Sequence, residues 1–213
     1  MASIDLAEQF FLIGHDEFSG RPAVSNELME CGLVGALFGA LVIEGRLGVK
    51  EGKVHALDPE PTGEDLADKL VATVDRQSSY HRVRTWTEQL GGFAYRTIAE
   101  RLVDSGTLRR EAGRKLLGRP GERYPAVNLY EAARPRLKLN HVIRHREELD
   151  LDQAVLAALL TAVGIEAVLG VDMNRESLRT VINSLLRAMP VQLQELLTGI
   201  DETVASISLT VHR

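Results

Sequence analysis

The chain has 213 residues, 45% hydrophobic and 26% charged, ordinary values for a globular protein large enough to bury a real core. Its one cysteine, Cys31, excludes an internal disulfide and a cysteine-rich metal site. The N-terminal "MASIDLAEQFF" lacks the basic start of a secretory signal, and the two features together predict a reducing cytoplasm. The net charge of −5 hides an asymmetry: residues 76–146 carry 16 Lys and Arg against 6 Asp and Glu, and the remainder is strongly acidic. Such a segment either forms a basic face for an anionic partner or pairs with the acidic flanks on folding.

In chain order, "IDLAEQFFLI" (4–13) places its apolar residues on one helical face. Gly14 stops that helix, and "HDEFSGRP" reads as a loop. The next helix spans about 25–44, with Ser25 as its N-cap and Glu27 and Glu30 near its positive end. It holds "CGLVGALFGALVI", thirteen residues without a charge. As a helix that stretch is about 20 Å long, short of the ~30 Å of a bilayer core. Gly32, Gly35 and Gly39 would each cost about 1 kcal/mol relative to Ala in a helix. Together they predict a central core helix against which other backbones pack closely.

After Gly45, "RLGVKEGKVHAL" alternates around Glu51-Gly52 like a β-hairpin. "DPEPTGEDLADKL" then signals a helix start, with Thr62 and Asp65 in capping-box spacing. "SYHRVRTWTEQL" predicts a helix ended by Gly91-Gly92, and a separate helix follows over 94–104. "GTLRREAGRKLLGRPGERYPAVN" reads as a hairpin or wing, with Leu108 and Leu116-Leu117 flanking a charged turn and Gly118, Pro120 and Gly121 breaking any helix. Helices resume over about 129–147, 152–169, 176–189 and 191–197, and the tail "VASISLTV" fits a strand or a helix. The fold class is mainly α: one compact helical domain over 1–213, with a buried central helix and one or two small β-hairpins.

Enzyme signatures do not surface. There is no G-x-S-x-G, Walker A or H-E-x-x-H motif. His141 and His145 have i,i+4 spacing, but no third ligand is indicated and Arg144 and Arg146 would repel a cation. His15-Asp16 lacks a nucleophile and reads as a loop pair. No catalytic residue, metal ligand or cofactor is therefore predicted.

"SNELMECGLVGALFGALVIEGRL" followed by "DPEPTGEDLADKL" resembles the Golgi phosphoprotein 3 family. So do Trp86 in "VRTWTEQL", "ERLVDSGTL" with its following hairpin, and Tyr124-Pro125. The resemblance runs from Leu6 to about Leu197, and the chain looks like a bacterial relative. It implies a mostly helical cytosolic protein, peripherally bound to a membrane, that holds an anionic phospholipid headgroup and the cytosolic tails of membrane enzymes. In the eukaryotic members the headgroup is phosphatidylinositol 4-phosphate. It is held by a Trp before the central helix, an Arg within it and two Args of an R-x-x-R-E-R-L pattern. Here Ser25 and Val34 stand at the first two positions, and "RTIAERL" keeps Arg96 and Arg101 with Ala99 at the second ligand position.

Ser25 offers one neutral hydrogen bond and Val34 none, whereas a phosphate is best held by several guanidinium groups. The lipid-headgroup set implied for this chain is thus Arg96, Arg82, Arg84, Arg101 and Ser25, binding anionic lipid more loosely. Basic residues near an anionic bilayer contribute about 1 kcal/mol each within a Debye length. Two alternatives remain: a protein-interaction scaffold without lipid affinity, and a winged-helix-like nucleic-acid binder. The acidic overall charge and the lack of a basic recognition helix before the wing argue against nucleic acid as a partner.

Overall fold

The structure, a computed structural model, describes residues 5–77, 81–112, 122–145, 147–169 and 175–211. Among these are eight α-helices and two small antiparallel strand pairs, the mainly α class that the patterning predicts. Residues 113–121 of the predicted wing, with Leu116-Leu117, Gly118, Pro120 and Gly121, lie outside the described residues.

Helix α1 (Asp5–Ile13) buries Leu6, Phe10, Phe11 and Ile13 against helix α2 (Asn26–Ile43). Among the described residues α2 is the helix long and apolar enough to cross a membrane by length and composition, with a mean hydropathy of 1.5 and 67% of its span buried. It is the centre of the fold, in contact with α1, α4, α6 and α8. Its glycines permit this. A Cβ on Gly32 would sit 2.1 Å from the Phe10 ring, one on Gly35 2.7 Å from Leu159, and one on Gly39 3.0 Å from Val155. Each is a place where a neighbour reaches the helix backbone.

Strands β1 (Leu47–Lys50) and β2 (Lys53–Ala56) form the predicted hairpin, with Lys50 opposite Lys53. Its two-residue turn puts both Glu51 (φ 55°) and Gly52 (φ 69°) in the left-handed region, the geometry that suits strand twist. Helix α3 (Asp65–Asp75) starts later than the capping-box spacing predicts. Glu64 is the N-cap and accepts from the Ala67 N–H at 2.6 Å. Thr62 belongs to a separate clasp: the Asp68 carboxylate accepts from the N–H groups of Thr62 and Gly63 and pairs with buried Arg46 at 2.7 Å. Arg46 also donates to the Glu60 carbonyl at 2.8 Å. These donors, the Thr62 N–H foremost, lower the Asp68 carboxyl to about 2. The "EGRL" and "PTGEDLAD" segments are therefore one structural unit.

Helix α4 (Val83–Asp104) corrects the expectation of two helices. It runs unbroken through Gly91-Gly92, because those glycines face a neighbour and do not end a turn. The strand pair β3 (Glu111–Ala112) and β4 (Glu122–Arg123) follows, and then α5 (Leu129–His145). Helix α6 (Leu151–Ala162) opens on a full capping box between Asp150 and Gln153, with a short 3₁₀ turn (Glu166–Leu169) after it. The chain continues through α7 (Arg175–Ala188) to α8 (Val191–Val211), so the alternating tail is helical. Burial of Leu193, Leu196, Leu197, Ile200 and Val204 against the central core decides what periodicity left open.

Candidate functional site

Four of the five residues implied as headgroup ligands lie on or at the start of α4, and the structure gives them different circumstances. Arg82 is the N-cap of α4, exposed, and makes no side-chain cap bond, while the Val83 N–H donates to the Gly52 carbonyl of the β1–β2 turn at 3.2 Å. Arg84 is exposed and bonds Glu88 one turn on at 2.9 Å. Arg96 is exposed and forms no ion pair or hydrogen bond among the described residues; its charge is felt at Glu30. Arg101 is held at the far end, between Glu8 of α1 at 3.1 Å and Glu64 at 3.2 Å. It ties α4 to α1 and to the start of α3. Ser25 caps α2, accepting from the Leu28 N–H.

Around this face lie two depressions. The first is a cavity of about 390 Å³ between the N-terminal half of α2, the first turns of α4 and the end of α8. Its floor is Cys31 and Ile207, and its rim carries Glu27, Glu30, Glu88 and Arg84. The second, about 500 Å³, lies beside the β1–β2 turn. It holds Arg82 and Arg84 with Glu51, Glu195 and Glu202. Glu195 there accepts the Gly52 N–H at 2.9 Å. Val34, at the position of the family's helical arginine, is fully buried and contributes to neither.

Patterning did not foresee the part played by Glu30. Its side chain lies over Gly91-Gly92: a Cβ on Gly91 would be 2.9 Å from the Glu30 Cβ and 3.1 Å from its Oε2. Partial burial raises its pKa, and neighbouring Glu27 adds to the rise while Arg96 opposes it. The Gly-Gly pair was the available signal, read as a helix end when it is a seat for a carboxylate. Burial also pushes the Cys31 thiol up to about 12, which leaves it a core group and no nucleophile.

His15 and Asp16 do not form a pair with one another. Asp16 accepts from the Ser19 N–H and shapes the loop. His15 is buried, stacked on Phe11 at 3.9 Å. Its Nδ1 faces the Phe11 carbonyl at 2.7 Å and so carries the proton, and its Nε2 accepts from the Tyr95 hydroxyl at 2.8 Å. Burial lowers its pKa to about 4, so the ring is neutral.

The basic segment does not gather into one uncompensated patch. Arg109 pairs with Glu111, Arg110 with Glu100, Arg134 with Glu131 and Arg136 with Glu17. Among the described residues no group of three potential metal ligands occurs, and His141 instead faces Glu147 at 3.3 Å.

The family profile described as Golgi phosphoprotein 3 (GPP34) matches residues 6–201. No curated protein matches the chain.

Proposed function

The chain belongs to the Golgi phosphoprotein 3 family, and from that premise we propose that it is a non-enzymatic, cytoplasmic, peripheral membrane protein that docks on anionic phospholipid through helix α4. One observation carries the reading. Arg82 and Arg96 are both exposed, lack ion-pair partners among the described residues, and lie fourteen positions apart on one helix. That separation is roughly 20 Å along the helix.

Two cations so far apart cannot share one monophosphorylated headgroup, but both can meet a flat anionic surface. The uncapped start of α4 adds a partial positive charge beside Arg82. Arg84 contributes once released from Glu88, an exposed pair worth at most about 1 kcal/mol. Binding of this kind is electrostatic, shallow and sensitive to salt.

A second reading, a scaffold for basic tails of membrane proteins, is favoured by the carboxylates of Glu27, Glu30 and Glu88 at the cavity rim. The test is sedimentation with neutral, phosphatidylinositol, phosphatidylinositol 4-phosphate and cardiolipin vesicles across a salt series, beside a duplex-DNA titration. The lipid reading expects binding to every anionic vesicle, falling with salt. Binding to none sinks it and leaves the scaffold, and tighter binding to DNA than to vesicles favours the nucleic-acid alternative.

A further inference from the structure

The cavity between α2, α4 and α8 has the size and the amphipathic lining of a small-ligand site. It adjoins the face proposed to meet the membrane, yet its rim is wrong for a phosphate. Arg84, the cation on its lining, is already bonded to Glu88. Glu30 stands on the same rim, fixed over Gly91 by a backbone approach that no other residue type would permit without a shift. It is held there at a price in helix propensity of about 1 kcal/mol per glycine.

We infer that Glu30 is the specificity-determining residue of this site: its carboxylate keeps phosphorylated headgroups out of the cavity, so the chain reads anionic surfaces by charge and not by headgroup. The inference rests on the membrane reading above for the location of the site, and it concerns the exclusion alone. The argument is Coulombic and local. A phosphate entering the cavity would approach the Glu30 and Glu27 carboxylates from α2 and the Glu88 carboxylate from α4. Against them stand Arg84 and, from outside the lining, Arg96. Glu30 is half-buried where Glu27 and Glu88 are exposed, so its charge is the least screened of the three. Neutralising it removes that repulsion and leaves the charge of Arg96 unopposed by Glu30. Cys31 stays a neutral thiol, and α8 supplies Thr203, Ser206 and Ile207, which do not titrate.

Glu30→Gln preserves shape and removes the charge. The probe is the soluble inositol bisphosphate headgroup of phosphatidylinositol 4-phosphate, titrated calorimetrically into wild type and Glu30→Gln, with vesicle sedimentation run in parallel. The expected result is headgroup binding about fivefold or more tighter in the variant, the effect of removing one nearby like charge in a partly screened site. As pH falls through the raised pKa of Glu30, wild type should approach the variant. Glu27, Glu88, Arg84, Arg96 and Tyr95 are common to both proteins, so the narrowing ratio isolates Glu30. The wild-type pH series also stands alone should the variant fold poorly.

Equal affinity in the two proteins, or weaker binding by Glu30→Gln, overturns the inference. The two proposals fail separately. Wild type that binds no vesicle while Glu30→Gln gains headgroup affinity sinks the membrane reading and keeps this one. Wild type that binds anionic vesicles while the variant gains nothing does the reverse.

Discussion

Helix α2 is approached closely along its length, and its two ends use the approach for opposite purposes. Over its middle and C-terminal part its own glycines admit apolar neighbours: Phe10 at Gly32, Leu159 and Ile200 at Gly35, Val155 at Gly39. At its N-terminal end the glycines are on the partner helix, Gly91 and Gly92 of α4, and they admit the stem and carboxylate of Glu30. The first arrangement is dry and exerts its effect as packing. The second leaves a partly exposed charge at the edge of a cavity, where it acts on whatever approaches. The same backbone device builds a core in one place and a selective rim in the other.

The sharpest test of that contrast is to fill both kinds of gap with the same methyl group. Gly32→Ala forces a Cβ into the Phe10 ring and should cost about 3 kcal/mol or more in urea denaturation, since neither the helix nor the ring can yield. A buried titrating group should weigh nearly as much on the packed side. His15 is neutral when folded, its pKa lowered to about 4 from 6.5. The unfolded chain therefore binds the extra proton between those values, and stability is full above 6.5 and is lost as pH falls toward 4. The loss amounts to about 3 kcal/mol, and His15→Gln should remove that slope from denaturation curves collected across the range.

Gly91→Ala should cost less, about 1–2 kcal/mol, because its Cβ meets the Glu30 Cβ at 2.9 Å, a milder overlap than at Gly32, and the gain in helix propensity offsets part of it. A loss as large as that of Gly32→Ala would erase the distinction between the two ends. Smaller still is the contrast among the arginines. Arg101→Gln gives up two ion pairs and should cost about 1 kcal/mol. Arg96→Gln loses no ion pair among the described residues and only its charge opposite Glu30, so it should cost less than Arg101→Gln while weakening membrane binding.

Much of the fold was legible because it rests on local rules. The Glu51-Gly52 hairpin, the Ser25 cap and the central helix announce themselves through turn chemistry, capping and composition. Where reading failed, a long-range partner overrode the local signal. Gly91-Gly92 looks like a helix end until Glu30, some sixty positions earlier, occupies the space. Thr62 looks like a cap until Arg46 and Asp68 claim its loop. The candidate site was legible as a list of cations but not as an arrangement. Charge counting cannot tell Arg101, committed to Glu8 and Glu64, from Arg82 and Arg96, which are not committed among the described residues.

The central claim, membrane docking through the exposed cations of α4, is tested most directly by one comparison. Wild type and the double variant Arg82→Glu/Arg96→Glu are sedimented with anionic vesicles at low and at physiological salt. The account predicts that wild type sediments with the vesicles, less so as salt rises, and that the double variant, still folded by circular dichroism, stays in solution. A double variant that sediments as wild type does would place the contact elsewhere and contradict the claim.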